Sequence, residues 1–296
     1  MEYKKMLSRI KSLYLENANI IKYLKDLDRS NTNLIEDIMI SYDFQAGTYY
    51  QEYKKDPSLK DKYCSYLANV INNFGHYKTL LEVGVGEGTT LGPLLQCLNN
   101  KPDKAYGFDL SWSRIKYANK FLEELGIRNV ELFTGNLFAT PLKDNSIDIV
   151  YTSHSIEPNG GKEKEALIEL YRITNKYLVM LEPSYEFASI QAKERMLSHG
   201  YVTKLFSTAV ELGFNVIEHR LFEISSNPLN PTGLTIIKKE FNSESLNPLC
   251  CPLTKTDLIH RNNAYFSEES LLAYPIIDGI PCLMAESAIV ATKFIE

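Results

Sequence analysis

An α/β fold is predicted: a seven-stranded, mostly parallel sheet with helices on both faces, plus a small β-rich C-terminal domain. Three observations carry this expectation. Short apolar runs alternate with amphipathic stretches from Lys78 onward, the first run ends in glycines at Gly84, Gly86 and Gly88, and the pattern changes again beyond Asn242. Strand–helix alternation at this spacing builds βαβ units, whose parallel sheet must be covered on both faces.

Residues 3–27 place Met6, Ile10, Leu13, Ile20, Ile21 and Leu24 among charges at helical spacing, which reads as one or two amphipathic helices. The stretch Asp43 to Pro57 is tyrosine-rich and irregular, and 59–73 resumes a helical period through Tyr63, Leu67, Val70 and Ile71. Strands are expected at 80–83, 105–109, 130–133, 147–151 and 177–181, with helices at 88–97, 112–124 and 162–173 between them. Helices at 188–198 and 202–212 lead into two further strands, 215–222 and 234–239. Pro228, Asn230, Pro231 and Gly233 join these as an antiparallel closing pair. The domain division is then 1–58, an N-terminal helical or lid region; 59–241, a ligand-binding α/β domain; and 242–296, a small domain. The last is too short to own a substantial core and should pack on its neighbour.

Composition narrows the function. The chain has 296 residues, 44% of them apolar, enough for one large core and a small module. Lysine and arginine number 32 against 37 acidic residues, a net charge of −5, which removes the bulk electrostatic reason for unspecific nucleic-acid binding. No apolar run approaches bilayer-crossing length, and the charged N-terminus lacks the uninterrupted apolar stretch of a signal peptide. The cytoplasm is the expected compartment, with no membrane partner; a homo-oligomer is compatible with the sequence. The cysteines are Cys64, Cys97, Cys250, Cys251 and Cys282, an odd set without the framework of a secreted disulfide fold.

The most informative stretch is Leu81 to Thr89, where a strand ends in Gly84, Gly86 and Gly88 and a helix opens. Glycines there let the backbone turn sharply and approach a ligand closely. Asp109 closes the next strand, where a carboxylate accepts both hydroxyl hydrogens of a ribose. A nicotinamide dinucleotide would use the same arrangement, and Asp109 could instead cap the helix starting near Ser111.

These motifs resemble those of class I S-adenosylmethionine-dependent methyltransferases, a Rossmann-like family; the likeness spans about residues 42–240. It implies S-adenosyl-L-methionine as cofactor, Glu82 near the methionine amino group, and Gly84, Gly86 and Gly88 along the methionine and sugar. By the same resemblance Asp109 holds the ribose and Leu110 lies beside adenine. The Gly135–Asn136–Leu137–Phe138 segment matches the adenine-reading position, with the Asn136 carbonyl oxygen on the amino group and the Leu137 amide on a ring nitrogen. Asp148, in the approach to the fourth strand, is expected to be structural.

In an open parallel sheet the site lies beyond the carboxyl ends of the strands. The loop after strand four carries His154 and Glu157, the candidates for base or acceptor orientation, since a neutral imidazole accepts a proton near pH 7. A wall or capping role for His154 and a surface ion pair for Glu157 are the alternatives. Glu182 and Glu186, after strand five, are expected to make the entrance acidic. Asp43 to Tyr50 resembles the N-terminal lid of small-molecule methyltransferases, so Tyr42, Gln45 and Tyr49 are candidates to cover the cofactor, with plain aromatic packing the alternative. Ser155–Ile156–Glu157–Pro158 departs from the N/D-P-P-F/Y motif of enzymes that methylate exocyclic amides or bases.

Residues 248–290 resemble the Trm112-like family of zinc-ribbon-related domains, through Leu249–Cys250–Cys251–Pro252 and Tyr274–Pro275–Ile276–Ile277–Asp278–Gly279–Ile280–Pro281. A ribbon needs four ligands, whereas the matching places hold Cys251, Thr254, Ser267 and Ser270, so no metal is expected. Packing of Leu253, Leu258, Leu271, Leu272, Ile276 and Ile280 should replace it. The function expected from all this is methyl transfer to a small metabolite or sugar-like biosynthetic intermediate. An RNA or protein methyltransferase of the translation machinery is the second reading, and a cofactor-less scaffold the third.

Overall fold

The computed structural model describes residues 3–28, 33–225, 227–240 and 247–296, so the domain boundary expected at 241/242 lies outside the described residues. Among the described residues, four helices precede the α/β core: α1 (Tyr3–Leu15), α2 (Ile20–Asp28), α3 (Ile35–Phe44) and α4 (Thr48–Lys55). The core follows as α5 (Ser58–Asn72), β1 (Thr79–Val83), α6 (Leu91–Cys97), β2 (Lys104–Asp109), α7 (Trp112–Glu124), β3 (Val130–Thr134) and β4 (Ile147–Ser153). It continues through α8 (Glu163–Ile173), β5 (Thr174–Pro183), α9 (Ile190–His199), α10 (Leu205–Glu211), β6 (Val216–Leu221) and β7 (Thr232–Lys238).

These seven strands form one sheet in the order β3-β2-β1-β4-β5-β7-β6. The first five run parallel, and β7 pairs antiparallel with β5 and β6. Burial on both faces explains why the central strands read as continuous apolar runs. On one face Leu67 and Ile71 of α5, Leu94 of α6 and Ile115 of α7 pack on Leu80, Ile149 and Val179. On the other, Leu167 and Leu170 of α8 pack on Leu81, Val150 and Leu178. Each such side chain contributes about 1.5–3 kcal/mol by leaving water. Asp148 sits at the amino end of β4, accepting from the Lys78 amide at 2.7 Å and from Asn175 Nδ2 at 2.8 Å, so its place is structural.

The tyrosine-rich stretch is helical where an irregular segment was expected. α4 has no buried residue and hence no apolar stripe to reveal it. Its amino end is held instead by Glu87 of the glycine turn, which accepts from the Gly47 amide at 3.0 Å and the Tyr50 amide at 2.6 Å. That cap comes from far away in sequence, and local pattern does not show it. α3 ends within the same stretch and was not foreseen either; α1, α2 and α3 share their own cluster of Ile10, Leu13, Ile20, Leu24 and Ile40.

The C-terminal module contains β8 (Ile259–Arg261), β9 (Ala264–Ser267), β10 (Leu272–Ile277), β11 (Ile280–Pro281) and β12 (Ile289–Val290), all paired antiparallel. It covers the β3 edge of the large sheet. Thr134 bridges to Cys282, the Leu283 amide donates to Thr134 O at 3.1 Å, and the Cys250 amide donates to Pro141 O at 2.9 Å. Leu249, Cys251, Tyr274 and Leu283 join the core cluster that α8 covers. The expected packing needs correction: Leu253 and Leu271 are exposed. Around Cys251 the sulfur meets Tyr274 OH at 3.3 Å and Ser270 Oγ at 3.5 Å, while the Ser270 amide donates to Ser267 Oγ. Burial pushes the thiol up, but these hydroxyls and Thr254 outweigh it and bring it down to about 6. Among the described residues no three His, Cys, Asp or Glu side chains gather at metal-binding distance, and no helix is long and apolar enough to cross a membrane.

Candidate functional site

At the carboxyl ends of β1, β2 and β4 lies a cavity of about 550 Å³. Of the residues singled out above, Tyr49, Glu82, Gly84, Gly86, Asp109, Leu110, Asn136, Leu137, His154 and Glu157 line it. Gly88 is not among the lining residues. Its φ is +75°, and a Cβ there would stand 3.4 Å from Ala118, so it lets the turn pack closely on α7. Gly84 is constrained otherwise: a Cβ would come within 2.3 Å of Ser155 Cβ, so its bareness sets how near the β4 loop approaches β1.

Asp109 is buried, accepting from the Gly86 amide at 3.0 Å and the Ser111 amide at 2.9 Å. The side-chain cap of α7 is Ser111, whose Oγ accepts from the Arg114 amide. Burial raises the Asp109 carboxyl above its ordinary value, with Arg114 and the two amides opposing. The side-chain oxygen of Asn136, expected to face adenine, accepts the Phe138 amide at 3.0 Å and keeps its second lone pair.

Glu82 receives a hydrogen bond from Tyr151 OH at 2.8 Å and is nearly fully buried. Burial pushes its carboxyl up to about 8, against the pull of Tyr151 and Lys60. The folded state therefore holds this proton longer than the unfolded chain. The stability it contributes is complete below the ordinary value of 4.5 and is lost as pH rises toward about 8. Denaturant unfolding of the wild type should weaken by a few kcal/mol across that window, and Glu82→Gln should lack this component. Superimposable pH curves for the two proteins would contradict the assignment.

The β4 loop is built around a second buried carboxylate. Glu182, expected at the entrance, turns inward beneath the loop and accepts the amides of Ser155 at 3.0 Å, Ile156 at 3.2 Å and Glu157 at 3.1 Å. Glu186 is likewise engaged, accepting from Ser184 Oγ. On the loop so held, His154 adopts φ +55°. Its Nδ1 lies 2.7 Å from Glu157 Oε2 and its Nε2 lies 2.8 Å from Thr232 Oγ1. Burial raises the Glu157 carboxyl, but hydrogen bonds from His154, Tyr201 and Asn230 outweigh it and hold the group below the usual carboxylate range. An ionised Glu157 fixes the Nδ1–H tautomer and leaves Nε2 as the basic nitrogen.

Of the lid candidates, Tyr42 and Tyr49 line the cavity, whereas Gln45 donates to Ser41 Oγ. Asp43 fastens the region by accepting from Ser111 Oγ, the Ser113 amide and Ser113 Oγ. Sequence reasoning missed Lys60, Arg114, Asn230 and Thr232, which also line the cavity. One signal was available: Arg114 stands in the first turn of α7, where the helix dipole disfavours a cation.

Residues 80–176 match the sequence profile of a family described as a methyltransferase domain. The chain carries a Rossmann-like methyltransferase core. Among solved structures, one is the complex between the Haloferax volcanii Trm112 methyltransferase activator and a provisionally assigned methyltransferase. It matches at 14% identity with a TM-score of 0.52, covering 67% of this chain and 98% of that one. A SAM-dependent methyltransferase from Aquifex aeolicus matches at 22% identity and a TM-score of 0.41, covering 57% of this chain and 87% of that one. At 14% identity the likeness to the Haloferax structure is one of fold.

Proposed function

We propose that this methyltransferase acts on a small acceptor, a metabolite or sugar-like biosynthetic intermediate, held beside S-adenosylmethionine in this cavity. The observation that carries this reading is the roof. Residues of α3 and α4 line the cavity, and its volume of about 550 Å³ falls in the range of about 300–1,000 Å³ that suits small ligands. Residues 1–58 thus act as the lid region, 59–241 as the catalytic domain and 242–296 as a Trm112-like domain, in a cytoplasmic enzyme. The Haloferax protein meets its activator as a separate chain. Here the equivalent would be built in, bracing β3 and, through Lys116–Asp278, α7.

The donors and acceptors around the cavity fit the cofactor. Asp109 keeps lone pairs for ribose hydroxyls, Asn136 and the Leu137 amide would meet adenine, Leu110 would lie beside it, and Glu82 would lie near the methionine amino group. The bound cofactor supplies an electrophilic methyl group for in-line displacement, so the protein's first task is positioning. His154, oriented by Glu157, would take at Nε2 the proton of an attacking hydroxyl, or the proton that an amine sheds once methylated, after Thr232 passes it on or swings aside.

Protein incubated with methyl-labelled S-adenosylmethionine and a cell extract, then fractionated by size, tests the reading. Label is expected in the small-molecule fraction, and His154→Ala should lower it by about 10²–10⁴-fold. Label confined to large, ribonuclease- or protease-sensitive material would replace the small acceptor with RNA or protein.

A further inference from the structure

We propose that Arg114 is a recognition residue for an oxyanion, a carboxylate or phosphate, on a ligand bound under the lid helices. The proposal rests on the cavity being the methyltransferase site described above. It goes further by assigning a charge to what the cavity takes.

Arg114 is 6% exposed. Among the described residues it forms no ion pair, although a buried guanidinium left unpaired is costly. Asp109 lowers that cost through its field, but its oxygens are already directed to the Gly86 and Ser111 amides. A cation in the first turn of a helix also works against the dipole. Both costs persist in the ligand-free protein, and an anionic ligand would remove them.

The guanidinium is also aimed. Nε donates to the Tyr42 carbonyl at 3.1 Å. The rings of Tyr42 and Tyr49 lie on the group, with centroids 4.4 and 5.0 Å from its central carbon, which fixes its plane. Nη1 faces Gly86, where even an added Cβ would be 3.6 Å away. Nη2 is buried and has no hydrogen-bond partner among the described residues. The terminal nitrogens of a planar fork thus remain for an external acceptor, the arrangement that suits two oxygens of one anion. Two sources offer that chemistry: the amino-acid end of the cofactor, or the acceptor.

Calorimetric titration of the full chain and of Arg114→Gln and Arg114→Lys distinguishes them. The probes are S-adenosylhomocysteine, 5′-methylthioadenosine (the same thioether nucleoside without the amino acid) and inorganic phosphate, the last with and without nucleoside. If the oxyanion is the cofactor's, Arg114→Gln weakens S-adenosylhomocysteine by about tenfold or more and leaves methylthioadenosine unchanged. If it is the acceptor's, both nucleosides bind as in wild type, and phosphate binding is lost. Arg114→Lys should retain part of either effect, which separates charge recognition from loss of fold. Equal weakening of both nucleosides, or unchanged binding of all three probes, overturns the proposal. Phosphate titrated without nucleoside reads the oxyanion site even if neither nucleoside binds, so failure of the cofactor reading gives a different result.

Discussion

Asp109→Asn is expected to weaken S-adenosylhomocysteine binding by about a hundredfold while leaving the protein folded. An ionised carboxylate offers roughly four lone-pair sites. Two are directed to the Gly86 and Ser111 amides, which leaves two for ribose hydroxyls. Hydrogen bonds to a charged group are worth about 1.5–3 kcal/mol each, and losing two at the lower figure corresponds to about two decades in affinity. Asparagine keeps one carbonyl oxygen, so one structural amide stays satisfied while its NH2 faces the other. A stability loss of about 1–3 kcal/mol should accompany the loss of affinity. Alanine is the poorer probe, because it strands both amides. Isothermal titration together with thermal melting reads the two effects separately. An unchanged affinity would remove Asp109 from the ribose and reopen the plain bracing role.

The pattern of the chain disclosed the sheet well because a doubly covered parallel strand must be apolar on both sides. β1, β2, β4 and β5 stand out for that reason alone. The same logic explains what stayed hidden. α4 lacks a buried face, and its cap reaches it from Glu87, so neither period nor neighbour announces it. The glycine turn was legible as a turn, but the reason for each glycine was not: Gly84 answers to Ser155 and Gly88 to Ala118, both brought in by folding. Glu182 read as a strand-end acid at the rim because β5 is buried on both faces there and offers no alternation that would give its side chain a direction. The loop amides above it make an inward carboxylate the cheaper solution. His154 and Glu157, four positions within one polar loop, were legible together. Asn230 lies in the β6–β7 connection and Thr232 opens β7, and only the fold sets them beside Glu157 and the imidazole.

The inward turn of Glu182 also makes it the most sensitive position outside the cofactor pocket. Glu182→Ala removes the acceptor for three consecutive loop amides at once. A buried donor left without a partner costs about 1–3 kcal/mol and a part-buried one less, so with one buried and two part-buried amides stranded the variant should lose about 3–6 kcal/mol and melt about 10 °C lower. The activity effect should exceed what unfolding explains. His154 holds a left-handed φ of +55°, a conformation that costs a non-glycine residue about 1–2 kcal/mol and persists only while the loop is pinned. Freed from Glu182, the loop relaxes, and the 2.7 Å contact from His154 to Glu157 is lost. Assayed well below its melting temperature, Glu182→Ala should therefore transfer little methyl label while still binding S-adenosylhomocysteine through Asp109 and the glycine turn. Glu182→Gln, with one acceptor oxygen kept, should fall between. A variant with full activity and an unshifted melting temperature would mean that the His154 amide to Leu181 O and the Val202 amide to Glu157 O hold the loop unaided.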